Sequence, residues 1–378
     1  MFKKYQLKYY NFRMAAIVLI TMIFGVVMIN SADSSSTMKQ CLGIAGGVVI
    51  MVFVSFIDYN WILKYYWLIY VGNLGLLLLV EILGHTGKGA QRWIRIIGPI
   101  TIQPSELAKI FLILFTAKLI FMYKERFNTW KFLGILAVLL AVPVLLVYLE
   151  PDLSTTLLIF SVLITMVYCA GVDYKKLLIV VAVVVPLFIG FIFYIQSPNQ
   201  NLLEPYQRDR IMAFIDPENY DSDRYQQENS VLAIGSGELT GKGLNNNDSS
   251  SVKNAGLIPE AHTDFIFSVI GEELGFVGCC IVVLLLTWIV VECIVAAVRA
   301  RNFAGRLICC GVASWIAYQS FINIGVTTLI LPNTGLPLPF FSYGLSSLLS
   351  ISIAIGIVLN ISLQRNSIDE EAVLDFNK

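Results

Sequence analysis

Leu307 to Gln364 reads LICCGVASWIAYQSFINIGVTTLILPNTGLPLPFFSYGLSSLLSISIAIGIVLNISLQ, and it contains no Asp, Glu, Lys, Arg or His. Two apolar stretches flank one interruption, made by Pro332, Gly335, Pro337 and Pro339. A soluble domain carries roughly 25% charged residues. This chain of 378 residues carries 14%, against 57% apolar. A membrane span needs about 20 predominantly apolar residues. Charge is also missing over Met14–Ala32, Cys41–Ile57, Phe132–Leu149, Leu153–Val172 and Leu274–Val291. The fold class expected is an all-α polytopic membrane protein forming one domain over 1–378.

Ten transmembrane helices are expected near 14–32, 41–58, 63–83, 104–123, 130–149, 153–171, 175–195, 263–298, 305–331 and 343–364. A large extracytoplasmic loop, 196–262, separates helices seven and eight, and a short acidic tail occupies 365–378. The first apolar run has a basic flank, but it is long and further spans follow, so it reads as an uncleaved span. Lys and Arg gather before the first span and at Lys64, Lys118–Lys131, Lys175, Lys176 and Arg299–Arg306. The positive-inside bias then puts both termini in the cytoplasm. Net charge is zero, which offers nothing to nucleic acid. The seven cysteines lie mostly in apolar runs without metal or disulfide spacing, and His85 and His262 are too few to argue for a metal site.

Three outer connections stand out. Gly84–Gln103 carries Lys88, Arg92 and Arg95 against the charge bias. The 196–262 loop is polar and far longer than an ordinary connection. Leu331–Gly344 cannot stay helical through its prolines. Irregular backbone at membrane depth persists only where protein or a water-filled cavity satisfies its polar groups. Gly235–Gly243 (GSGELTGKG) lacks the residues of a phosphate-binding loop and reads as a flexible glycine-rich loop.

Ionisable residues inside spans carry the most information. Glu106 and Lys109, in QPSELAK, share one helical face at i,i+3 behind Pro104. They are either a dipole-complementing pair or one wall of an outward-facing cavity. Asp152, after Glu150-Pro151, and Asp264, after His262-Thr263, stand at helix starts, where capping is an equally good reading. Glu272 and Glu273 lie about 12 Å further along that helix and call for a polar interior or a neutralising partner. Arg92, Arg95, Glu106, Lys109, Asp152 and Asp264 are expected at one height near the outer face. Cations there would stabilise a leaving diphosphate, and a carboxylate would take a proton from an attacking hydroxyl. The same pattern would also serve an ion or substrate pathway.

Six landmarks follow in order: Gly89–Trp93 (GAQRW), Gln103–Lys109 (QPSELAK), Glu150–Thr155 (EPDLST), Ala233–Gly243, Pro259–Gly275 (PEAHTDFIFSVIGEELG), and Asn323–Ser347 ending in LPLPFFSYGLSS. With them the chain resembles, over essentially its whole length, the shape, elongation, division and sporulation (SEDS) family that includes RodA and FtsW. One departure is Leu345, where the family usually has a second glycine after Ser-Tyr-Gly. The resemblance implies a bacterial plasma-membrane glycosyltransferase that polymerises lipid II by β-1,4 linkage with inversion, releasing undecaprenyl diphosphate. It implies Asp264 as the catalytic carboxylate, with Arg92, Glu106, Lys109 and Asp152 as cavity residues toward the substrate. Arg208 and Arg210, in YQRDR, are further candidates for holding substrate or the outer loop. The implied partner is a class B penicillin-binding protein, a transpeptidase. No cofactor is implied, although a diphosphate is where a divalent cation would fit. A lipid flippase and a non-catalytic scaffold are the rival readings. A cysteine placed at Asn246 in a cysteine-depleted background is expected to react with a membrane-impermeant maleimide in intact spheroplasts; reaction only after lysis would put the long loop inside.

Overall fold

The computed structural model describes residues 7–87, 90–97, 100–197, 200–246, 251–253, 255–259 and 261–364. Lys88, Gly89 and the expected tail lie outside them. Thirteen α-helices follow in chain order among the described residues: α1 (Phe12–Ala32), α2 (Ser34–Ser55), α3 (Tyr59–Ile62), α4 (Tyr66–Leu83), α5 (Pro104–Met122), α6 (Trp130–Leu149), α7 (Leu153–Cys169), α8 (Tyr174–Gln196), α9 (Pro205–Ile215), α10 (Asp221–Ser236), α11 (Ile266–Val298), α12 (Phe303–Thr327) and α13 (Leu345–Leu363). Among the described residues, eight apolar helical segments are long enough to cross a membrane: α1, α2, α3–α4 taken together, α6, α8, α11, α12 and α13. Of the ten expected spans, two fall short by length or composition. Helix α5 carries Glu106, Lys109 and Lys118, and α7 has 17 residues.

Of these eight segments, α12 and α13 are the most enclosed, with 61% and 72% of their apolar stretch buried, whereas α8 has 6%. Helix α13 packs chiefly on α2, and α12 on α11, α7 and α5. Leu345 opens α13, and its Cδ2 lies where a Cβ on Gly43 of α2 would have to go. The bulk at this departure from the family pattern is therefore met by a residue without a side chain.

Several expected boundaries move. Helix α2 starts at Ser34 rather than near 41, because Asp33 caps it by accepting from the Ser35 amide at 3.0 Å. The third expected helix is preceded by α3, which Asp58 caps. The eighth starts at Ile266 rather than 263, which leaves Asp264 outside it. The connection after α4 forms a three-stranded antiparallel sheet, β1 (His85–Gly87), β2 (Ala90–Ile97) and β3 (Ile100–Ile102), in the order β1-β2-β3. The isoleucines and tryptophan of β2 favour extended backbone.

The long loop is ordered by α9 and α10, and its glycine-rich part is not the flexible segment expected. Helix α11 breaks at Gly275, whose φ of 63° and ψ of −160° lie in a region essentially reserved for glycine. A regular helix would bond the Phe276 amide to the Glu272 carbonyl and the Val277 amide to the Glu273 carbonyl. Here the Phe276 and Val277 amides donate instead to the carbonyls of Glu238 and Leu239, at 2.9 and 3.2 Å. The Glu272 and Glu273 carbonyls accept from the Lys242 and Gly243 amides, at 2.9 and 3.0 Å. The loop thus supplies partners for these four backbone groups. Close approach demands small residues: a Cβ on Gly275 would lie 2.7 Å from the Leu239 carbonyl, and one on Gly237 would overlap the Gly271 carbonyl.

The side chains follow the backbone. Glu272 and Glu273, each 1% exposed, meet Lys242 at 2.8 Å and Lys253 at 2.5 Å respectively. Glu272 also accepts from the Val252 and Lys253 amides, and Glu273 from the Ser31 hydroxyl. The neutralising partners that two adjacent buried acids require are therefore lysines of the loop itself. Gly275→Ala is expected to open this clasp, lowering the melting temperature and exposing Lys242 and Lys253 to trypsin. Gly190→Ala, where an added Cβ meets nothing within 4 Å, should do neither; equal behaviour of the two variants would refute the clasp.

Candidate active site

At the loop end of the bundle, the expected polar residues separate into three groups. The first surrounds the Glu150-Pro151-Asp152 turn between α6 and α7. Arg92, on β2, donates from Nε to the Glu150 carbonyl at 3.2 Å and from Nη2 to the Pro151 carbonyl. It also donates to the Tyr206 hydroxyl at 2.6 Å, and its Nη1 lies 3.8 Å from Asp152 Oδ1. Tyr206 and Gln207 of α9 donate to the same Pro151 carbonyl at 2.5 and 2.9 Å. Three donors on one carbonyl pin β2 and α9 to this turn. Asp152 caps α7 by accepting from the Thr155 amide at 3.1 Å, and it takes Gln103 Nε2 at 3.1 Å. Asp152 is therefore a cap, and it also stands among polar groups. Arg95 is exposed on β2.

The second group lies deeper. Lys109 is buried, pairs with Glu106 at 2.7 Å, donates to Gln319 Oε1 at 3.2 Å and sits 4.7 Å from the Trp315 ring centroid. Trp315 Nε1 also donates to Gln319 Oε1, at 2.7 Å. Lys109 and Glu106 are enclosed in this structure and do not share one exposed height with Asp264. Glu106 Oε2 is buried without a hydrogen-bond partner.

The third group is centred on Asp264. Helix α11 begins with Phe265 in the capping position and no side-chain capping bond, so Asp264 is not its cap. Its carbonyl accepts from Asn323 Nδ2 at 2.8 Å, and the same nitrogen donates to the Leu336 carbonyl at 2.7 Å. Gly335 has a φ of 71°. The position of a Cβ there would be 3.4 Å from both Asp264 Oδ2 and Arg210 Nη1. The carboxylate and guanidinium therefore converge over one glycine of the proline-rich loop. Arg208 does not join them; its Nε donates to the Ile195 carbonyl at the end of α8, at 3.3 Å.

Helix α12 joins the second and third groups. Gln319 and Asn323 stand one turn apart on one face. Gln319 holds Lys109 and the Pro337 carbonyl, at 2.8 Å. Asn323 holds the Leu336 carbonyl and the Asp264 carbonyl. These two amides were the residues overlooked in the uncharged stretch that decides the fold. The signal was present, because an Asn or Gln buried in a membrane helix needs partners. Among the described residues, no group of three or more His, Cys, Asp or Glu converges as a metal site would need.

Residues 11–367 match the model of the cell cycle proteins FtsW, RodA and SpoVE. The chain belongs to the FtsW/RodA/SpoVE family. Among relatives of these cell cycle proteins, it is 35% identical over 367 residues to a protein of Nitrosomonas europaea named probable peptidoglycan glycosyltransferase FtsW, covering 91% of this chain and 90% of that one. It is 34% identical over 362 residues to the peptidoglycan glycosyltransferase MrdB of Escherichia coli K12, covering 94% of each. Among solved structures, a chain of a peptidoglycan synthase complex that coordinates polymerization and crosslinking superposes with a TM-score of 0.78 at 27% identity, over 95% of this chain and 99% of that one. RodA of Thermus thermophilus superposes with a TM-score of 0.69 at 27% identity, over 95% and 98%. As a member of this family with eight membrane-length apolar segments, the protein is an integral membrane protein.

Glu150 is the residue of the site that the sequence passed over as a motif letter. It is 1% exposed, and neither carboxylate oxygen has a hydrogen-bond partner. Burial, aided by the negative charges of Asp152 and Glu81 and opposed by Arg92, pushes its carboxyl up to about 8 from an ordinary 4.5. The folded protein therefore holds this proton more tightly than the unfolded chain. The stabilisation is complete below the ordinary value and is lost as pH rises through about 8. Glu150→Gln, which imitates the protonated acid, is expected to flatten the fall in melting temperature between about pH 5 and about pH 8. An unchanged fall in the variant would show that Glu150 does not titrate in this window.

Proposed function

We propose that this chain is a peptidoglycan glycosyltransferase that joins lipid II disaccharides into β-1,4 glycan strands. The observation that carries the reading is the convergence of Asp264 and Arg210 over Gly335, in a chain whose relatives bear the name peptidoglycan glycosyltransferase. Asp264 takes the proton from the acceptor 4-hydroxyl. That oxygen attacks the anomeric carbon from the face opposite the diphosphate, and the carbon–oxygen bond to undecaprenyl diphosphate breaks with inversion. Arg210, the cation beside Asp264, favours the negative charge that builds on the leaving diphosphate. Arg92 shapes the same mouth by holding the Glu150–Asp152 turn, and Arg208 ties α9 to α8. Asp152 is a substrate-side residue in this reading, whereas the enclosed Glu106–Lys109 pair acts on the site indirectly, through Gln319 and its bond to the Pro337 carbonyl. The sugar–diphosphate reaction belongs on the outer face, with ten spans, the 196–262 loop outside and both termini in the cytoplasm. The partner is a class B penicillin-binding protein, in keeping with the synthase complex that this fold resembles.

The decisive variant is Asp264→Asn, which keeps the shape and cannot accept the proton. Purified with its transpeptidase partner and given labelled lipid II, it is expected to make about 10²–10⁴-fold less glycan, as loss of a general base typically does. Strand synthesis near the wild-type rate would overturn the assignment of Asp264, and lipid II movement across vesicles without any polymer from the wild-type protein would favour the flippase.

A further inference from the structure

Arg210 is held differently from Arg92 and Arg208. Arg92 is committed to two carbonyls, the Tyr206 hydroxyl and Asp152, and Arg208 to the Ile195 carbonyl. Arg210 is half-buried and, among the described residues, makes no hydrogen bond or ion pair. Its contact is aromatic. The guanidinium carbon lies 5.9 Å from the centroid of the Tyr206 ring, one turn back on α9.

Tyr206 is itself fixed at both ends. Its hydroxyl donates to the Pro151 carbonyl at 2.5 Å and accepts from Arg92 at 2.6 Å. Its backbone belongs to the first turn of α9, where the Gln207 side chain accepts from the Glu204 amide at 3.2 Å and donates to the same Pro151 carbonyl at 2.9 Å. Positions 206 and 210 share one helical face, so the helix presents the ring to the guanidinium. Ser154, just beyond the Glu150–Asp152 turn, holds the Thr334 carbonyl at 2.6 Å, next to Gly335. A closed circuit results, from Gly335 through Ser154, Pro151 and Tyr206 to Arg210 and back to Gly335.

A cation beside an aromatic ring keeps its full charge, because the ring attracts it through a quadrupole and not through a neutralising anion. A paired carboxylate would cancel that charge before any substrate arrived. We propose that Tyr206 is a positioning residue that holds Arg210 over Gly335, unneutralised, for the diphosphate of the lipid-linked substrate. This rests on the glycosyltransferase reading above. As the anomeric carbon–oxygen bond breaks, its electron pair passes to the diphosphate oxygen, and a cation already in place stabilises that charge without reorganising.

Two measurements test this together: strand synthesis from labelled lipid II by the complex with its transpeptidase, and binding of farnesyl diphosphate to the full chain in detergent. Tyr206→Leu is expected to lower kcat about five- to thirtyfold with little change in KM, the range that a cation–π contact spans, and to weaken farnesyl diphosphate binding. Arg210→Gln should lower both at least as far. Tyr206→Leu added to Arg210→Gln should cost no more than about twofold further, because a residue that acts only through Arg210 has nothing left to position. Tyr206→Phe, which keeps the ring and loses its anchor, should fall between the wild type and Tyr206→Leu. Full additivity of the Leu and Gln losses would overturn the proposal, and so would equal losses for Phe and Leu. Coupled losses in farnesyl diphosphate binding, with no glycan from the wild type, would instead overturn the glycosyltransferase reading.

Discussion

A helix that breaks inside a membrane bundle must find other partners for the backbone groups it releases, because hydrocarbon supplies none. Gly275 imposes this condition on α11, and residues 238–243 supply partners for four of the groups beside the break. The arrangement of the outer half follows. The loop must enter the top of the bundle rather than lie over it, so its glycines are required where backbones nearly touch. The carboxylates flanking the break must be buried, so lysines of the same loop neutralise them. Removing one member of such a buried pair typically costs about 3–5 kcal/mol, which makes the clasp cooperative. Helix α10, immediately before the clasp, is also held at the end of α12, where Gln227 donates to the Val326 and Leu331 carbonyls and Ser230 to the Thr327 carbonyl.

The proline-rich segment after α12 is governed by the same constraint. It cannot be helical, yet it lies among helices, and its carbonyls are taken up individually. Gln319 holds Pro337, Asn323 holds Leu336, and the Ser154 hydroxyl holds Thr334 at 2.6 Å. Asn323 shares its nitrogen between this segment and the Asp264 carbonyl. The position of the proposed base is therefore set by the amide that orders the loop opposite it. Lys109 enters the same network from below, through Gln319. A buried ion pair here connects to the reacting surface without being exposed at it.

The two sides of the bundle differ in how firmly they are held. Helices α12 and α13 are enclosed by neighbours, whereas α8 is nearly bare and touches the rest chiefly at its end, where Ile195 packs with Leu203 and Met212 and takes the Arg208 bond. A bare apolar helix is stable against lipid, which is as apolar as its own side chains. Secure walls on one side and a lipid-facing wall on the other suit a protein whose proposed substrate carries a long lipid tail.

What the sequence determined by itself was what depends on local composition. Charge-free runs identified the membrane segments, prolines marked where helices could not continue, and ordered motifs led to the family. The need for partners at Glu272 and Glu273 was also legible, since burial of two adjacent acids requires them whatever the fold. What only the tertiary structure decided was pairing between distant segments. No spacing rule connects Lys242 to Glu272, Arg210 to Asp264, or Asn323 to both Leu336 and Asp264. Helix periodicity placed Glu106 beside Lys109 because they are three residues apart, but it could not show that Trp315 and Gln319 close over them. Nor could it show that the glycine-rich loop completes a broken helix: a glycine reads as freedom in sequence, and becomes close approach only when a second backbone arrives against it.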